Sequence, residues 1–415
     1  MPSSSRTVTL LGLGLMLSLF GDTSIYIVLP THYLTAGILL TQVGLMLSAN
    51  RLIRIFINSP YGLLIERWPR RRVLIASQVI GAAANFLYVF TGFWPLLIGR
   101  LIWGVAWAGI WIGGNTAVLD VADSGNRGRL VGRFHAWGFV GFVGGSLTGG
   151  VLTDNFGYQA AFFACGCISL AAALLWFFFL PETRPAAEAS TTPTPHTAPL
   201  PADLPASSRV PIVTAALLMG LNWLIFLGMM GALLPLLLQE RVGASLMIGA
   251  LLIPIATLTG IIAALKDTVS LISAPLSGWL SDWLRDRWRL MLVSLVTGVI
   301  ALLLIAGGAN LLVVGGILLG AATTSILQTQ ITAVVGDYSG FNRQGRTLGV
   351  LNTVGDLGSA AGPLLAFALI DPANLSQSLS SVFLMAALLL LVALPWVAWV
   401  GWRERRRMSN AVTAA

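Results

Sequence analysis

Twelve apolar stretches, each long enough to cross a bilayer as a helix, constrain this chain more than any other feature of it. A bilayer core takes about 20 apolar residues per helix. By that measure spans fall near 7–30, 41–64, 73–93, 95–121, 130–153 and 159–180, then near 211–238, 256–281, 288–307, 310–336, 346–370 and 377–401. Charged residues are 10% of the 415, where a soluble domain carries about 25%, and 56% are hydrophobic. The chain reads as an all-α membrane protein of twelve transmembrane helices, six before a gap and six after it.

The gap, "PETRPAAEASTTPTPHTAPLPADLPASSRVP", is rich in Pro, Ala, Ser and Thr and cannot bury enough apolar surface to fold. The expected layout is a six-helix bundle over 1–180, a flexible linker over 181–210, a second bundle over 211–402 and a tail over 403–415. The apolar run 242–255 is too short for a further span and is expected as an interfacial helix or an extension of the eighth span. The first apolar run follows Met1 to Arg6 but is too long for a signal-peptide core and lacks a small-x-small cleavage pattern, so it is read as a helix. Cys165 and Cys167 lie two apart within one span and are expected as reduced core residues.

The net charge of +8 would suggest nucleic acid in a soluble chain, but here its placement is a topology signal. Arg67, Arg70, Arg71 and Arg72, then Arg127, Arg129 and Arg133, then Arg285, Arg287 and Arg289, then Arg343 and Arg346 fall in alternate connections. Arg6, Arg184, Arg209 and the run Arg403 to Arg407 follow the same side, and the opposite connections hold Arg241. By the positive-inside rule both termini and the linker are expected in the cytoplasm of a cell whose plasma or inner membrane holds the protein.

The two halves repeat. "TAV" at 116–118 recurs at 332–334, and "NRGRLVGRFHAWGFVGFVGG" (126–145) aligns with "NRQGRTLGVLNTVGDLGSAAG" (342–362) after one inserted residue. Shifts of 216 to 217 positions also pair Gly104 with Gly320, Ser146 with Pro363, and Gly62 with Gly278, each of the last two followed four residues on by an acid, Glu66 or Asp282. Two parallel six-helix repeats are expected, related by an axis along the membrane normal.

With these motifs in order, the chain resembles the major facilitator superfamily over nearly its whole length. Gly62-x-x-x-Glu66-Arg67-x-Pro69-Arg70-Arg71 resembles that family's loop signature between helices two and three, with Pro69 where Gly is usual and Glu66 where Asp is commoner. Gly278-x-x-x-Asp282 with Arg285 and Arg287 is a weaker copy. Arg100-x-x-x-Gly104 resembles the fourth-helix signature. Gly141, Gly145, Ser146 and Gly149 fall in a pattern like the fifth-helix signature associated with antiporters, with Ser146 in place of Pro. The resemblance implies a transporter whose loop latches the cytoplasmic end when open outward, and Asp120 is a candidate partner there for Arg67 or Arg70. For Arg71 and Arg72, pure topology signalling is the favoured reading.

Charges within the spans cost roughly 2.5 to 3.5 kcal/mol each on insertion scales and mark partners or pathways. They are Asp22, Arg51, Arg54, Arg100, Lys266, Asp267 and Asp356. Arg54 and Asp356 each lie about 15 Å deep from the cytoplasmic ends of their helices. The family fold implies that helices two and eleven meet, so an Arg54–Asp356 bridge is expected. Asp22 has two candidate partners, Arg51 and Arg100, and the sequence does not choose between them, although Arg51 is favoured. Lys266 and Asp267 point about 100° apart on a helix and need not pair. A carboxylate held between arginines becomes a proton carrier if substrate competes for the same partner; Asp22 is the first candidate for that role and Asp356 the second.

Trp103, Trp107 and Trp111 share one face of helix four with Arg100. The family implies that helices one, four, seven and ten line a central cavity, and an aromatic stripe under an arginine suits a lipophilic or amphipathic substrate. Asn222 and Trp223 on helix seven, with Gln328 and Gln330 on helix ten, are candidates from the second half, though only one of the glutamines can face a cavity. His135 is expected as a structural histidine, and the helix-five glycines as a close-packing seam.

No nucleotide-binding loop, metal-ligand cluster or nucleophile–base pair stands out, so neither an enzyme nor a cofactor or metal is expected, and nucleic acid is not an expected partner. The expected function is a monomeric secondary transporter working by alternating access, most plausibly a proton-driven exporter of lipophilic compounds. Uptake or facilitated diffusion of a small metabolite, movement of lipid between leaflets, and a non-transporting sensor or scaffold are the alternatives.

Overall fold

The computed structural model describes residues 4–122, 127–184, 206–248, 251–284, 286–307, 310–338 and 344–413. Most of the linker, including His196, lies outside the described residues, as do Arg285 and Arg343. Six helices come first: α1 (Ser4–Val28), α2 (Leu40–Arg67), α3 (Arg70–Leu87), α4 (Phe93–Asp120), α5 (Arg127–Phe156) and α6 (Tyr158–Phe179). Then α7 runs continuously through Ala206–Asn222, a π-helical stretch Trp223–Met230 and Gly231–Val242. It is followed by α8 (Ile255–Leu284), α9 (Arg287–Gly307), α10 (Asn310–Tyr338), α11 (Gln344–Ala368) and α12 (Leu375–Thr413). Within a bilayer every backbone N–H and C=O must be satisfied inside its own segment, which is why apolar runs of this length become helices.

Nine of these helices are long and apolar enough to cross a membrane on composition alone, among the described residues. The other three are α2, α3 and α11. Arg51 and Arg54 lower the hydropathy of α2, and Asp356, Asn352 and a high glycine content lower that of α11. Large apolar side chains such as Phe178, Val392 and Leu311 are 67%, 68% and 84% exposed. On a soluble monomer a surface of this kind would signal a partner; on membrane spans it faces lipid. Cys167 is exposed in the same way, so only Cys165 is the expected core residue.

Residues 242–255 depart from expectation. Among the described residues of this stretch, β1 (Ser245–Ile248) pairs antiparallel with β2 (Leu251–Pro254), with Ser245 opposite Pro254. The cause is local. Gly243 takes φ +86 and ends α7, a conformation that side chains disfavour. Pro254 cannot continue the ladder and is followed at once by α8. Similarly, the reversal between α5 and α6 is made by Gly157 alone, at φ +84.

Contacts divide the chain into two compact units, one of Met1–His196 with Ala232–Ala264, the other of Thr197–Gly231 with Leu265–Ala415. In the first, Leu11, Leu15 and Leu19 of α1 pack with Leu74, Ile110, Phe134 and Trp176. The α5 glycines bring that helix against α1: a methyl at Gly149 would come 2.5 Å from Ser24 Oγ, and at Gly145 3.0 Å from Phe20 Cα. Ser24 in turn donates to the Gly145 carbonyl at 3.1 Å. On another side of α5, a methyl at Gly150 would overlap the Ala256 carbonyl of α8, and one at Gly260 would overlap that of Ser146. Asp154 fixes this second seam by accepting from the Thr257 N–H at the start of α8, at 2.6 Å. Its charge raises the pKa of nearby His32, although burial outweighs it and holds that imidazole below its ordinary value.

In the second unit the π-helical part of α7 packs on α11 through glycines. A methyl at Gly362 would stand 2.5 Å from both Gly228 Cα and the Leu224 carbonyl. Backbone cannot swing aside as a side chain can, so Gly362→Ala is expected to cost about 1 to 3 kcal/mol. Thermal unfolding in detergent checks this, with the same change at the uncrowded Gly315 as reference.

Candidate functional site

Arg100 on α4 is fully buried in the first unit, and every part of its guanidinium has a partner. Nη1 meets Asp22 Oδ1 of α1 at 2.6 Å, Nε donates to the Met46 carbonyl of α2 at 2.9 Å, and Nη2 donates to Tyr26 Oη at 3.1 Å. Tyr26 Oη donates in turn to the Leu47 carbonyl at 2.9 Å, and Asn50 Nδ2 lies 3.4 Å from Asp22 Oδ1. Arg51, also buried, stands 5.3 Å from the Tyr26 ring centroid, and Arg100 stands 5.1 Å from it.

The structure therefore selects Arg100 for Asp22. The expectation that favoured Arg51 is corrected: Arg100 meets Asp22 Oδ1 at 2.6 Å, while Arg51 lies over the Tyr26 ring. A buried ion pair is favourable only when its remaining hydrogen-bond groups are met, and breaking one by removing a partner costs about 3 to 5 kcal/mol. Arg100 meets that condition through Met46 and Tyr26. Asp22 keeps 15% of its side chain exposed where Arg100 keeps none.

The tryptophans of α4 form a ladder leading away from this pair. Trp103 and Trp107 have ring centroids 6.3 Å apart, Trp107 and Trp111 stack at 5.5 Å, and Trp111 stacks on His135 of α5 at 5.0 Å. His135 is fixed by a hydrogen bond of 3.0 Å to Asn115. Trp103 is fully buried and so serves as packing, while Trp107 and Trp111 are half-buried. His135 was expected as a structural histidine, and its bond to Asn115 fits that; Asn115 and the stacking on Trp111 were missed, because no spacing within one helix reveals a shared rise along two.

At the arginine-rich end of the first unit, Arg70 is buried, with Nε 3.2 Å from Asp120 Oδ2 and Nη1 on the Ile65 carbonyl. Arg70, rather than exposed Arg67, is thus the partner of Asp120. Glu182 was missed. Pro69 precedes α3 and offers no side-chain cap. Glu182, just past α6, supplies one by accepting from the backbone N–H groups of Arg70 at 3.0 Å and Arg71 at 3.3 Å. Thr183 donates to Asp120 at 3.2 Å, and Arg184 to the Arg67 carbonyl at 2.8 Å. Arg71 also donates to the Phe177 carbonyl at 2.5 Å, so the topology reading of that residue is incomplete. Gly62 has open space around it, and the side chain of Glu66 lies outside the described residues.

The same bond recurs in the second unit. Arg287 holds Asp337 through two contacts, at 2.6 and 3.2 Å, and each residue lies 217 positions after its counterpart in the Arg70–Asp120 pair. The internal repeat is visible here as a repeated interaction. Gly278 is loosely packed, and the Asp282 side chain lies outside the described residues.

Other expected residues are placed as follows. Lys266 and Asp267 pair with each other at 2.5 Å, because the flexible lysine stem closes the angle that the backbone opens. Asn222 is buried and donates to the Thr324 carbonyl at 3.3 Å, while Trp223 packs where a methyl at Gly355 would come 2.7 Å from its ring. Gln330 is buried and donates to the Ser277 carbonyl at 3.0 Å, leaving Gln328 as the exposed glutamine. Arg54 and Asp356 are half-buried, one in each unit. Ser146 is buried within an unbroken α5. Among the described residues no group of acidic, histidine and cysteine side chains could hold a metal ion.

Long apolar helices with charges buried among them, and an ion pair repeated 217 positions on, are features of a multi-pass membrane transporter. The sequence matches the family model of the Major Facilitator Superfamily over residues 11–266 and 268–414, and the chain belongs to that family. It is 25% identical over 376 residues to "Multidrug resistance protein MdtG" of Salmonella choleraesuis, covering 89% of this chain and 86% of that one. Among solved structures, a bacterial homologue of the human lysosomal transporter Spinster, inward-facing and occupied, superposes with TM-score 0.75 at 16% identity, covering 98% and 97% of the two chains. The nucleoside transporter NupG gives 0.74 at 14% identity, covering 95% and 99%. At these identities the likeness to the solved structures is one of fold.

A capping carboxylate contributes about 0.5 to 2 kcal/mol to a helix start. Glu182→Gln is therefore expected to speed amide exchange at Arg70 and Arg71 about tenfold, with α4 unaffected, as read by hydrogen–deuterium exchange.

Proposed function

We propose that this chain is a proton-coupled exporter of lipophilic or amphipathic small molecules that works by alternating access. The observation that carries this reading is the Asp22–Arg100 pair, in which the arginine is independently anchored and the carboxylate is partly exposed. Protonation of Asp22 removes one of the three partners of Arg100 without freeing it. A proton and a cationic substrate that engages the same carboxylate then exclude one another, which is the requirement for exchange. Asp356 stands second for the carrier role. The half-buried Trp107 and Trp111, with His135, offer stacking faces to an apolar or cationic substrate. The 25% identical multidrug resistance protein of Salmonella choleraesuis supports the substrate class.

In this reading the protein acts as a monomer in the inner or plasma membrane, with both termini in the cytoplasm in keeping with the arginine distribution. The electrical drive is about 2.3 kcal/mol per charge per 100 mV, enough for roughly fifty-fold accumulation. The Arg70–Asp120 and Arg287–Asp337 pairs, with Glu182, fix the helix ends at which a gate would close.

Dye efflux and counterflow in proteoliposomes under an imposed pH gradient test the proposal. Wild type is expected to show gradient-driven efflux, and Asp22→Asn to retain counterflow while losing the gradient response. Gradient-driven efflux by Asp22→Asn would assign Asp22 a structural role and move the carrier role to Asp356. If no lipophilic compound moves in either protein, metabolite uptake or lipid movement replaces export.

A further inference from the structure

The last helix, α12, does not stop at the end of its apolar run. It carries Trp396, Trp399 and Trp402, which are 48%, 44% and 46% exposed, directly into Arg403-Glu404-Arg405-Arg406-Arg407. Two of these arginines lie on indoles four residues back. Arg403 Cζ is 5.5 Å from the Trp399 ring centroid, and Arg406 Cζ is 3.8 Å from that of Trp402.

The nearby described acids are engaged by other groups. Asp286 holds Arg289 at 2.9 Å and Arg405 at 3.1 Å. Glu404, 3% exposed, takes Arg407 at 3.1 Å and the Tyr338 hydroxyl at 3.0 Å. Asp337 takes Arg287 at 2.6 Å. Stacking on an indole occupies the face of a guanidinium, but its N–H donors lie in the plane and point along the edge. Tryptophans of a spanning helix sit at the level of the lipid headgroups, so these edges are presented at the depth of the lipid phosphates. A planar guanidinium edge matches two phosphate oxygens.

We propose that Arg403 and Arg406, braced by Trp399 and Trp402, bind the phosphate of an anionic phospholipid in the leaflet at the C-terminal end of α12. Charge complementarity selects the headgroup. The stripe that continues below it selects a lipid over a free anion. Leu388, Val392, Trp396, Trp399, Arg403 and Arg406 follow at three- and four-residue spacing, which is one helix face, and the four apolar members are all exposed. An acyl chain has a continuous surface there. The arrangement does not depend on what the transporter carries.

The test uses the full-length protein, delipidated in detergent, with dioleoylphosphatidylglycerol, dioleoylphosphatidylcholine or inorganic phosphate added. Bound lipid is read by native mass spectrometry and stability by thermal unfolding. Wild type is expected to retain phosphatidylglycerol and to be stabilised by it, with no such response to phosphatidylcholine or phosphate. Arg403→Gln/Arg406→Gln is expected to weaken phosphatidylglycerol binding about tenfold, while Arg72→Gln, at an exposed arginine elsewhere, leaves it unchanged. Should the double glutamine variant not fold, Trp399→Leu/Trp402→Leu keeps both charges, removes the brace and is expected to lose part of the binding. Equal retention of the two lipids by wild type, equal loss in Arg72→Gln, unchanged binding in both double variants, or stabilisation by phosphate alone would each overturn the proposal.

Discussion

A guanidinium with no exposed surface, held in an apolar helix, is the feature around which the first unit is built. Arg100 cannot be buried alone, since an unpaired charge in such surroundings costs several kcal/mol after relaxation. Its three partners come from α1 and α2, and so its burial dictates where those helices stand relative to α4. The Met46 carbonyl belongs to the backbone and cannot be altered by substitution. Asp22 and Tyr26 sit one turn apart on α1, which places both beside the same arginine. The stacked Trp107 and Trp111 then follow along the same helix.

Close packing completes what the charge begins. The α5 glycines let α1 and α5 approach until side chains no longer separate them, and Ser24 uses that proximity to bond the Gly145 carbonyl. Gly228 and Gly362 make the corresponding approach in the second unit, beside a π-helical stretch of the kind often found at functional sites. Without a hydrophobic force between helices inside lipid, such van der Waals contact and hydrogen bonding are what hold them together. The two units also share an electrostatic device at their arginine-rich ends, Arg70–Asp120 and Arg287–Asp337, separated by the period of the repeat.

Much of this was legible in the sequence because membranes make composition informative. Among the described residues, apolar runs placed the long helices to within a few residues at most ends, and the buried charges were visible as exceptions within them. Asp120 was identified with its partner narrowed to two residues. What stayed hidden depended on distance in three dimensions. Position along the helices leaves both Arg51 and Arg100 open to Asp22, and only the packing of α4 against α1 decides between them. Glu182 reads as the second residue of a linker until α6 brings it to the start of α3. The hairpin at 245–254 was obscured because a short apolar run has the same composition as a helix end; the conformation of Gly243 and the position of Pro254 decide it.

In the proposed exchange Asp22 gives up a proton while Arg100 remains in place. The most direct measurement is proton release on adding a transported lipophilic compound to the detergent-solubilised protein in weak buffer, comparing wild type with Asp22→Asn. The account predicts a pH-dependent release from wild type that is absent from the variant, with compound binding retained by both. Equal release from the two proteins would contradict it.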